Sequence, residues 1–172
     1  MINSKTRYWI LGLIIAATII NGLLAGGNVD RALVAMPAWH HTGFVGWADF
    51  SRNADLGNGQ VVYPLMAISG TVLSITVFIL FLWAGRSPRC AALPIFIAAA
   101  LMLLSLPISF KAAPFMLSLR HIGNEDVAAL GHAFAGFEFW GRLQGVLHVA
   151  AFCANLWSIA AFSRNSNLHD DK

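Results

Sequence analysis

The residues best placed to do chemistry are Gln144, His148 and Asn155. Spaced by four and then seven, they fall within about 40° of one another at 100° per residue, so a helix carries all three on one face. Such a stripe suits a polar pocket that binds a small molecule, with His148 as base or ligand. The same stripe also suits plain helix-to-helix hydrogen bonding. Both readings stay open on the residues alone.

A second group lies between Trp47 and Pro64. There Arg52, Asp55 and Tyr63 could overhang a pocket mouth and hold an anionic or hydroxylated ligand. Asp55 could instead cap its own backbone, with Gly57 and Gly59 supplying a turn. Arg142 stands four residues after Glu138, the spacing and order of a helical ion pair. His40 and His41, with Met36 and His132, are the weak candidates for a metal. No HxxxH, ExxH or CxxC spacing supports them, and no metal is expected. The chain lacks a phosphate loop, a dinucleotide glycine fingerprint and a nucleophile elbow, so no cofactor is expected either.

The elements that must position these residues are four apolar runs, at about 9–27, 61–84, 91–110 and 140–163. Each is close to the ~20 residues with which a helix crosses a bilayer core. The chain is 58% hydrophobic and 11% charged, against about 25% charged in an ordinary soluble domain. The expected fold is all-α, one domain over residues 1–172. It is an antiparallel four-helix membrane bundle with short interfacial helices in its two outer connections.

The net charge of +3 does not imply nucleic acid, because the 11 Lys and Arg are scattered and several flank the runs. Lys5, Arg7, Arg86, Arg89, Arg164 and Lys172 crowd short segments on one side. Six of the eight acids lie on the other. Positive-inside reasoning puts both termini in the cytoplasm, in a bacterial inner membrane. The first run exceeds a signal-peptide core and has no clear A-x-A site, so it is read as an uncleaved anchor. Cys90 and Cys153 form no disulfide framework.

Both outer connections are long for simple connectors. Asn28 is expected to cap a short helix ended by Pro37, and Thr42 another. Asn124, ahead of Glu125 and Asp126, is expected to cap the helix that leads into the last run. A bend or break is expected at Gly131, Gly136 or Gly141. The tryptophans read as interfacial belts. Gly141 and Gly145 form a GxxxG pair that permits close helix contact.

Three stretches give the chain a family likeness: Asn21-Gly-Leu-Leu-Ala-Gly-Gly, Trp47 through Pro64, and Trp140-Gly-Arg-Leu-Gln-Gly with the alanine-rich span after it. In these it resembles the anthrone-oxygenase-like family of small four-span membrane proteins. The resemblance implies oxidation of a reduced polycyclic aromatic by O₂ without metal or flavin. It implies His148 as base, Gln144 or Asn155 as enolate stabiliser, and Trp47 and Trp140 as pocket walls. The expected function is an outer-facing polar pocket that oxidises or binds a hydrophobic small molecule. The alternatives are an accessory subunit that assembles through GxxxG, homo-oligomers included, and a small oligomeric transporter. Membrane lipid is the expected surrounding.

Overall fold

The computed structural model describes residues 4–85 and 89–170, with side chains described for 6–85 and 89–164. Every described element is helical: α1 Ser4–Asp30, α2 Met36–Asn53, α3 Gln60–Trp83, α4 Ala92–Leu117 and α5 Val127–Asp170. Short π-helical links, Arg31–Ala35 and Ala54–Gly59, join α1 to α2 and α2 to α3. Arg86, Ser87 and Pro88 of the basic turn lie outside the described residues, as do the side chains of Lys5 and His169.

Three helices are long and apolar enough to cross a membrane: Thr6–Trp83, Arg89–Arg120 and Val127–Arg164. Four separate spans were expected. The count falls because the first connection never leaves helical hydrogen bonding, so α1, α2 and α3 form one run of 78 residues. That run is bent within. Gly43 takes φ 78° and ψ 176°, and Gly57 takes φ −82° and ψ −118°. The first of these lies in the left-handed region that favours glycine. The run folds back so that α1 packs on α3, and contacts continue from α3 to α4, α4 to α5 and α5 to α1.

Three buried layers stack along this ring. At one end Ile10, Ile14, Val77, Phe81, Ile95 and Phe162 interlock. In the middle Leu24, Ala67, Met102 and Ala151 meet. At the other end α2 lies against α5, burying Trp39, Trp47, Leu130, Phe134 and Phe137. Close approach of α1 to α3 depends on Gly70. A Cβ there would stand 2.4 Å from Oδ1 of buried Asn21, whose Nδ2 donates to Ser74 Oγ at 3.2 Å.

Several local expectations are corrected. Pro37 begins α2 rather than ending a helix. The α5 cap is Asp126, whose Oδ1 accepts from Ala129 N–H at 3.0 Å. Asn124 instead receives Arg52 and donates to Asp49. α5 is continuous over 44 residues, about 66 Å at 1.5 Å per residue, well beyond a bilayer core. Its glycines admit neighbours rather than breaking it: a Cβ at Gly136 would stand 2.3 Å from the Phe115 ring. Trp9 and Trp83 are exposed, as a belt requires, but Trp39 and Trp47 are core residues.

Candidate functional site

One face of α1 and the link after it presents Leu24, Asn28 and Arg31, spaced by four and three. This is the repeat that keeps side chains on one helix face. Asn28 Nδ2 donates to Leu24 O at 2.7 Å and meets His148 Nδ1 at 3.0 Å. Asn28 is therefore not a helix cap. Its approach to α5 passes over Gly145, where a Cβ would come within 3.3 Å of Asn28 Cβ. The second glycine of the GxxxG pair thus faces Asn28, while Gly141 has open space around it.

The Asn28 contacts set the His148 tautomer. The amide must place its NH₂, not its oxygen, against the Leu24 carbonyl, so its second proton faces His148 Nδ1. In a neutral ring Nδ1 then accepts and Nε2 carries the hydrogen. His148 is buried, and its Nε2 has no protein partner among the described residues.

One turn beyond Asn28, Arg31 pairs with buried Asp55. The guanidinium also lies 5.2 Å from the Tyr63 ring centroid, 5.2 Å from Phe137 and 6.0 Å from Trp39, within the range of cation–π attraction. Asp55 Oδ1 is taken by Arg31, while Oδ2 has no protein partner among the described residues. Gln144 Nε2 donates to Ser109 Oγ at 2.7 Å, bridging α5 to α4. Arg120 donates to Gln60 Oε1 at 2.5 Å, bridging the end of α4 to α3.

These groups surround a cavity of about 620 Å³, within the size range of small-molecule sites. Its lining is chiefly apolar, from Leu24, Ala67, Leu106, Ala112 and their neighbours. Its polar members include Asn28, Arg31, Asp55, Gln60, Gln144 and His148.

Of the residues singled out in the sequence, Gln144, His148, Asp55 and Tyr63 line this cavity. Asn155 is buried elsewhere, with its Nδ2 unpartnered among the described residues. Trp47 is wholly buried against Phe134 and Phe137 at ring separations of 5.1 and 5.7 Å, outside the lining. Arg52 is a staple: it donates to the carbonyls of Leu119 and Ile122 and to Asp49 and Asn124. Trp140 packs edge-on to Phe139. Arg142 pairs with Glu138 at 2.5 Å in the open, as its spacing suggested.

His40 Nε2 lies 3.2 Å from Glu138, and His132 packs beside Phe115. His41 is exposed. Among the described residues no group of three His, Cys, Asp or Glu is arranged to hold a metal.

Asn28 and Arg31 are cavity residues that sequence reasoning missed, as are Gln60, Ser109 and Arg120. A signal for Asn28 was present: Asn21 and Asn28 stand seven apart, repeating the spacing of His148 and Asn155 on the helix opposite. No protein-family model, curated protein or solved structure matches the chain.

Proposed function

We propose that the chain is a four-span integral membrane protein, both termini cytoplasmic, that binds a hydrophobic small molecule in an outer-facing pocket. The fold-back of α1 on α3 supports four crossings. The charge distribution supports the orientation. One observation carries the binding reading: a mostly apolar cavity of about 620 Å³ holds buried Asp55, paired with half-buried Arg31, and buried His148 in its wall. Polar groups in a membrane-embedded wall are costly unless they serve a site or each other.

Binding is favoured over proton abstraction by the state of His148. With Nδ1 accepting from Asn28, the free nitrogen is a hydrogen-bond donor and has no lone pair with which to take a proton. The oxygenase chemistry implied by the anthrone-oxygenase-like resemblance needs such a lone pair.

The test is a native mass spectrum of the protein released from mild detergent, beside Ala112→Phe, which places a ring inside the cavity wall. A retained hydrophobic molecule, lost in the variant, is the expected result. Equal retention by both proteins would sink the pocket reading.

A further inference from the structure

Three side chains of fixed charge line the cavity: Arg31, Asp55 and Arg120. Arg31 and Asp55 pair with each other, so their charges cancel. Other polar side chains of the wall are likewise engaged with protein, Asn28 with His148 and Gln144 with Ser109. Arg120 differs. It is exposed, and its partner among the described residues is the neutral Gln60 amide. The lining therefore carries one positive charge that no carboxylate balances.

The chemistry around that charge is all donor. A guanidinium has five N–H groups and no acceptor, so Gln60 must turn its oxygen to Arg120. The Gln60 NH₂ is then left without a partner among the described residues, beside four guanidinium N–H groups in the same state. A set of donors around an uncancelled cation suits an anion. A cationic head would be repelled, and a neutral head would forgo the charge-assisted bonds, which are about twice as strong as neutral ones.

The position of this group fixes the shape of the ligand. Gln60 opens α3, and Arg120 ends the short turn that follows α4, so the two bridge one end of these helices. From that end the lining follows α4 from Leu117 back to Leu106, about 16 Å at 1.5 Å per residue. Along it the wall is chiefly apolar, with Tyr63 and Ile68 of α3 and Phe110 and Ala113 of α4 among its members. A ligand that satisfies both parts has an anionic head and a long apolar body.

Charge and shape narrow the head further. One free cation balances a monoanion, whereas a phosphate monoester carries close to two charges. A carboxylate is a monoanion whose two oxygens match the planar fork of a guanidinium.

We infer that the cavity takes a single-chain fatty carboxylate, its head on Arg120 and Gln60 and its chain along the apolar wall. The inference rests on the pocket reading above and adds the ligand class and the anchor of its head. Tyr63, Ile68, Phe110 and Ala113 are exposed as well as lining, so in a bilayer the competitor for the cavity is lipid. An acyl chain gains little on leaving a bilayer for an apolar wall. The head group decides the selection.

The experiment uses the full chain in phosphatidylcholine nanodiscs at about pH 8.5, where a carboxyl whose pKa is raised by the membrane surface is still ionised. Radiolabelled dodecanoate is bound by scintillation proximity, with empty discs as background. Unlabelled dodecanoate, methyl dodecanoate, dodecyl phosphate and phosphatidylglycerol compete at equal mole fraction in the disc. Dodecanoate is expected to compete at least about tenfold better than its methyl ester, the value of a hydrogen bond to a charged group. In Arg120→Gln that preference should fall to about threefold or less. Gln60→Glu keeps the arginine and its bridge but cancels its charge, and should reduce the preference as far.

Equal competition by the methyl ester would overturn the anionic head. Tighter competition by dodecyl phosphate or phosphatidylglycerol would overturn the carboxylate. An unchanged preference in both Arg120→Gln and Gln60→Glu would overturn the anchor, and Gln60→Glu decides alone should Arg120→Gln not fold. Dodecanoate binding that survives Ala112→Phe would place the chain outside the cavity and overturn the inference. No specific binding of dodecanoate overturns the ligand class. The pocket reading is judged separately, by the molecule retained in the mass spectrum.

Discussion

At one end of the helix ring Ile10, Ile14, Phe81, Ile95 and Phe162 pack together as an apolar cluster. Toward the other end the helices are wedged by α2, and the space beneath it holds Arg31, Asp55, Asn28 and His148 around a cavity. Of the six buried side-chain atoms without a partner among the described residues, none belongs to the hydrocarbon end. Two lie in the cavity wall, on Asp55 and His148, and two on α2, on Trp47 and Ser51. The remaining two lie between the ends, on Asn21 Oδ1 and Asn155 Nδ2, although Asn21 Nδ2 pairs across the interface with Ser74 Oγ. The difference separates a region built to hold helices together from one that leaves hydrogen-bonding capacity unspent.

The sharpest way to break this comparison is to damage the hydrocarbon end. Phe162 is 1% exposed, and Phe162→Ala should cost about 4 kcal/mol through lost burial and the cavity left behind. Unfolding in detergent measures it. Ligand affinity should stay within twofold. A loss of binding as large as the loss of stability would show that the two ends are not separate.

The next effect belongs to the pair of half-buried Arg31 with buried Asp55. Arg31→Met leaves the Asp55 carboxylate without its cation, at a cost of about 3 kcal/mol. Asp55→Ala should cost less. Arg31 keeps three aromatic rings, whose attraction for a desolvated cation reaches about 2 kcal/mol. The double variant Arg31→Met/Asp55→Leu should regain most of the stability. Were Asp55→Ala the worse of the two single changes, the aromatic cage would have no energetic meaning.

How much of this was legible beforehand follows from range. Helical content and apolar runs depend on local pattern, and all four runs lie within helices except for Ala84, which is in a turn. The stripe of Gln144, His148 and Asn155 was legible because one helix carries it, and two of its three members reach the cavity. The fate of Arg52 was not legible. Its choice between pocket mouth and staple depends on the carbonyls of Leu119 and Ile122, some 70 residues away. The continuity of α1 with α2 was hidden for another reason. Asn28, Pro37 and the glycines are all legitimate boundary signals, but α2 packing on α5 overrides them. Trp47 read as a belt residue because sequence position gives depth in the membrane and says nothing of which way the ring faces.

His148→Phe sets the two regions against each other more finely. It removes an unpartnered donor, which stabilises, and strips Asn28 of its acceptor, which destabilises by a similar amount. Ligand-free stability should therefore change by no more than about 1 kcal/mol, while affinity falls about tenfold. A large loss of stability with affinity intact would make His148 a bundle residue.

The smallest effect tests whether burial, rather than charge pairing, distinguishes the cavity wall. Arg142 and Glu138 form the same chemical pair as Arg31 and Asp55, but the Arg142 side chain is 68% exposed. After Arg142→Ala, Glu138 still has His40 at 3.2 Å and access to water, so no charge is stranded. The cost should be about 0.5 kcal/mol or less, and smaller still at high salt. Read by thermal unfolding beside Arg31→Met, the two substitutions remove one guanidinium each. Their ratio measures how much of the energy of the Arg31–Asp55 pair comes from the low-dielectric wall around it. Equal losses would mean that the wall is wet and that its polar atoms are already satisfied by water.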